Sequence, residues 1–79
     1  MSRHEVVSEN RKWVFGWDNP LMNYFLQVHD ATLPEEENPI FWKNDMYDLE
    51  ELVGEAKKQG LDLSPGLQKW LFNEKDEGL

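Results

Sequence analysis

An α+β fold, a three-stranded antiparallel β-meander followed by two α-helices packed on one face, follows from the order of two hydrophobic periods along the 79 residues. Between residues 12 and 43 the apolar and aromatic residues fall into short alternating runs, the period of a pleated strand. Beyond Asn44 they recur every three or four residues, the period of a helix. Strands that precede helices, rather than alternating with them, suit helices laid on one face of an antiparallel sheet. Aromatic content is the third observation: four Trp, four Phe and two Tyr make up 13% of a chain that has no cysteine. Each ring can bury roughly 150–250 Å², which lets so short a chain build a core without a covalent staple.

Residues 1–10 are polar and lack periodicity, so a flexible N-terminal tail is expected there. The single compact domain is placed at 11–74, and residues 75–79 form a flexible acidic C-terminus. The first strand is read from "KWVFGW", where Trp13, Phe15 and Trp17 alternate with Lys12, Val14 and Gly16. Gly16 inside a strand signals a bulge or a close approach of another backbone. Asp18, Asn19 and Pro20 then supply a turn, because Asp and Asn bond their own backbone and Pro presets φ.

The second strand is "NYFLQVH", with Tyr24, Leu26 and Val28 on one side and Phe25, Gln27 and His29 on the other. A helix competes for residues 20–29, since Pro20 suits a first helical position and Leu21, Phe25 and Val28 share a helical face. The aromatic and branched content favours the strand. "DATLPEEENP" reads as a polar loop, and "IFWK" as a third short strand with Pro39 at its start. Leu49, Leu52, Val53 and Ala56 form the stripe of a first helix, started by Asp45 or Asp48 and ended at Gly60. Ser64 as N-cap and Pro65 at the first position open a second helix, with Leu67, Trp70 and Leu71 on one face.

The run Trp13-Val14-x-Gly16-Trp17-Asp18-x-Pro20-Leu21-x-x-Tyr24-Phe25-x-Gln27-Val28 resembles the opening motif of small uncharacterised bacterial proteins, with a weaker echo at Phe41-Trp42. The resemblance carries no function, cofactor or active site. It implies only that the aromatic hairpin is the defining part of such a family.

The remaining composition narrows the function. A net charge of −8 repels nucleic acid and anionic membranes, so neither is expected to bind directly. No window has the length or hydropathy of a leader or a membrane span, and a soluble, cytoplasmic protein is expected. No phosphate loop, calcium loop or zinc-binding helix occurs, and no cofactor or metal is expected. His29 beside Asp30 is the sole candidate for an oriented base, and no serine or threonine is placed as its nucleophile. A non-catalytic protein is therefore expected.

Two helices cover one face of a small sheet, yet both faces of these strands carry large apolar groups. Uncovered rings point to a partner protein or a homodimer, with Trp13, Trp17, Asp18 and Tyr24 as the expected contacts. The alternative is an inhibitor that imitates nucleic acid through Asp48, Glu51 and Glu55, three acids beside the apolar stripe of the first helix.

Overall fold

In the computed structural model, which describes residues 2–77, the alternating rings build the centre of an antiparallel sheet. The elements in chain order are β1 (His4–Ser8), β2 (Arg11–Asp18), β3 (Asn23–Asp30), β4 (Phe41–Met46), α1 (Leu49–Lys58) and α2 (Pro65–Glu77), with a 3₁₀ turn at Glu35–Glu37. The sheet has four strands in the order β1-β2-β3-β4, one more than the sequence pattern suggests. The extra strand lies inside the segment expected to be a tail, and α2 continues through Glu77. Met1, Gly78 and Leu79, also assigned to the flexible ends, lie outside the described residues. Residues 20–29 are turn and strand, not helix.

Register explains why the tail is ordered. His4 pairs with Phe15, Val6 with Trp13 and Ser8 with Arg11 across a two-residue turn, Glu9-Asn10, in which Glu9 takes φ 55°. Beyond β1 the pairing continues: the Ser2 N–H donates to the Trp17 carbonyl at 2.9 Å, and the Trp17 N–H donates to Ser2 Oγ at 2.8 Å. Gly16 makes that approach possible. A Cβ there would lie 2.3 Å from the Ser2 carbonyl oxygen, so the close backbone approach signalled by a strand glycine is that of the chain's own start.

The Asp18–Pro20 hinge is a turn. Met22 N–H donates to the Asn19 carbonyl at 3.1 Å, with Pro20 as the turn's second residue, and Trp17 Nε1 donates to Asn19 Oδ1 at 3.4 Å. After β3, Asn38 holds the long loop closed, accepting from the Asp30 N–H at 2.8 Å and donating to the Asp30 carbonyl at 3.0 Å.

Both helices cover the face that carries Trp13, Phe15, Trp17, Tyr24, Leu26 and Val28, adding Leu52, Ala56 and Leu71, with Leu63 of their connection, to form one core. Two hydrogen bonds from ring to backbone fix the helices' positions. Trp13 Nε1 donates to the Gln59 carbonyl at 3.0 Å, and the Tyr24 hydroxyl donates to the Leu71 carbonyl at 3.1 Å. Gly60, at φ 91°, closes α1: its N–H donates to Lys57 and that of Leu61 to Ala56, satisfying the last carbonyls. Ser64 caps α2 by accepting from the Leu67 N–H at 3.2 Å. Among the described residues no helix is long and apolar enough to cross a membrane.

Candidate protein-binding surface

Because side chains alternate along a strand, the residues between the core rings point to the opposite face, which neither helix covers. Glu5, Val14, Gln27 and Trp42 form one row across all four strands, and Val7, Lys12 and His29 form a second across three. Val14 and Phe25 lie outside the main core cluster, yet each is buried. Trp42 is different. It stands at the β4 end of its row with 57% of its surface exposed, and Val7 on β1 is 68% exposed.

Arg3 bonds Glu5 at 3.2 Å on this face, and Lys12 lies in the same layer, with Asp18 at the far end of β2. His29 Nε2 shares a 3.1 Å hydrogen bond with Gln27 Oε1. Burial, and then the cations Lys12 and Arg3, hold the His29 imidazole below its ordinary pKa. A depression of about 620 Å³ opens at this end of the face, where Val7, Lys12 and His29 meet Leu33 and Asn38 of the loop. Asp30, at its rim, accepts from the Thr32 N–H at 2.9 Å and the Thr32 hydroxyl at 2.6 Å, which hold its carboxyl below the usual range. The His29–Asp30 pair is thus not a relay: each side chain is bonded to a different neighbour.

The expected contact residues are placed elsewhere. Trp13, Trp17 and Tyr24 are buried in the core beneath the helices, so no partner reaches their rings in this fold. They alternate as expected, but the helices chose their face. Asp18 remains at the surface and supports the turn, accepting from the Leu21 N–H at 3.5 Å. Of the acidic trio, Asp48 lies 3.9 Å from Lys75 and Glu55 lies 3.6 Å from Lys58, while Glu51 is exposed. Asp48 and Lys75 also line a depression of about 700 Å³ between the start of α1 and the end of α2, which does not include Glu51 or Glu55.

His4, assigned by sequence to the tail, is the residue most missed by that reading. Its ring stacks on Phe15 at 5.7 Å, and its Nε2 lies 2.9 and 3.1 Å from the two oxygens of buried Glu74 on α2. Nothing in the spacing of positions 4 and 74 announces that contact.

The chain matches no protein-family model, and neither the curated proteins nor the solved structures include a significant match to it.

Proposed function

We propose that this protein is a non-catalytic interaction module that receives a partner protein on the open face of its sheet. The observation that supports this is Trp42: a large ring, 57% exposed, ending a cross-strand row that also holds the buried Val14. Tryptophan at a rigid, half-desolvated position is the residue type that most often anchors an interface. With Arg3 and Lys12 on the same face, the fitting partner is one that offers an apolar side chain flanked by carboxylates, since complementary charge sets encounter and register. The acidic remainder of the surface disfavours other anions. The mimic of nucleic acid is the weaker reading, because Lys75 and Lys58 already offset two of its three carboxylates.

The test compares capture by the wild-type protein with capture by Trp42→Ala, Lys12→Glu and the double variant Glu51→Gln/Glu55→Gln, using lysate of the source cells. A protein lost by the first two variants and kept by the third supports the open face. A basic nucleic-acid-binding protein lost only by the third would replace this reading with the mimic.

A further inference from the structure

A second surface, independent of the open face, lies along the outer edge of β1. Ladder bonds alternate in an antiparallel pair, and both ends of the β1–β2 pairing fix the phase. Ser2 donates to Trp17, and Ser8 faces Arg11 across the two-residue turn, so even-numbered residues bond inward. The N–H and carbonyl groups of Glu5 and Val7 therefore point away from the sheet; Arg3 directly precedes the strand and Glu9 opens the turn after it. The register is unbroken from Ser8 to His4, and β1 contains no proline, lysine or bulge. Those are the usual devices that stop an edge from pairing. The other edge has two of them: β4 carries a lysine, Lys43, and a register shift against β3.

We propose that β1 pairs antiparallel with β1 of a second copy about a two-fold axis through Val6, joining two four-stranded sheets into one of eight strands. Charge selects this register. Outward groups must meet outward groups, which leaves axes at Glu5, Val6 or Val7. An axis at Glu5 sets Glu5 against its own copy, and an axis at Val7 sets Glu5 against Glu9; like charges directly opposite are unfavourable. The axis at Val6 sets Glu5 opposite Val7 and brings the Arg3 side chain, just before one strand, towards Glu9 in the turn after the other, twice each by symmetry. Val7 is 68% exposed at this edge. Trp70, 63% exposed, lies one helical turn before Glu74 and so on the β1 side of α2, because Glu74 binds His4. A second copy places its own Trp70 across the axis on the helical side of the sheet, while Val7, on the open side, gains the aliphatic stem of the second copy's Glu5. The two open faces then form one continuous surface, although the dimer does not depend on that face binding anything.

The test is sedimentation of the full chain over a range of concentrations, together with amide hydrogen exchange. Wild-type protein is expected to shift from monomer to twice its mass as concentration rises, and the Glu5 and Val7 amides, open to solvent in a monomer, should slow with it. Val7→Pro removes an outward donor and no inward bond, and should stay monomeric with an unchanged near-ultraviolet spectrum. Arg3→Glu should weaken dimerisation roughly fivefold to tenfold, and adding Glu9→Arg should restore it, a recovery that decides the matter even where Val7→Pro fails to fold. A wild-type monomer at every concentration overturns the proposal. So does a dimer in which the Glu5 and Val7 amides exchange freely, or one in which the paired charge reversal brings no recovery.

Discussion

The two faces of this sheet have apolar residues in comparable positions but depend on them in different ways. On the covered face, Trp17, Phe15 and Leu26 are sealed by α1 and α2 and carry the stability of the domain. On the open face, Val14 and Phe25 are buried without joining that cluster, and Trp42 is left half outside. The same strands therefore provide both a core and an accessible surface. Area alone does not distinguish them; what distinguishes them is whether another element closes over the row.

Truncation tests that contrast most directly. Trp17→Ala should cost about 3–5 kcal/mol, enough to unfold much of a domain this small, whereas Trp42→Ala should cost less than about 1 kcal/mol. Urea denaturation of both variants measures the difference, and equal losses would show that the open face is as much core as its opposite. The glycines give the next contrast. Gly16→Ala drives a Cβ against the Ser2 backbone and should cost about 1–3 kcal/mol. Gly54→Ala, on α1 with open space around it, should instead gain up to about 1 kcal/mol; thermal melts read both.

Titration sharpens the comparison at smaller magnitude. Burial, then the charges of Glu74 and Asp48, push the Tyr24 phenol up to about 12. The folded state holds that proton more tightly than the unfolded chain, so its contribution is complete below the unfolded value of about 10. It is lost as pH rises from there through 12. Tyr24→Phe should cost about 1 kcal/mol at neutral pH through the lost bond to Leu71, and should flatten the alkaline decline in stability. On the open face the shift is opposite. His29 is held low, so folding favours its neutral form; that contribution is present above about 6.5 and is lost as pH falls. Lys12→Met should raise the His29 pKa by removing one of its opposing charges, leaving burial as the main cause, and a proton NMR titration of the ring reads it.

Sequence periodicity located β2, β3, β4 and both helices through an apolar repeat or a capping residue, although residues 20–29 also fit a helix. It missed β1 for an identifiable reason. "HEVVS" is a five-residue edge strand with one apolar side chain on each face, and the turn that follows uses Glu9 in a left-handed conformation rather than the expected Gly or Asn. Alternation also showed that Trp13 and Trp17 share a face with each other and not with Val14. It could not show which face the helices would choose, since a period of two is symmetric between faces. Alternation therefore does not separate Trp13 and Trp17, which the helices bury, from Trp42, the ring left outside. The His4–Glu74 pair joins opposite ends of the chain and has no local signature at all.

The strand order repeats the chain order, and this sets a sequence of events during synthesis. Each strand can pair with the one before it as soon as it leaves the ribosome, across connections of two, four and ten residues. The helices that cover Trp13, Phe15 and Trp17 arrive last. Until Leu71 and Glu74 have emerged, the nascent sheet shows its most hydrophobic side to the cell, and an unfinished chain of this kind is a substrate for chaperones or aggregation. A stop codon anywhere before α2 would make that exposure permanent.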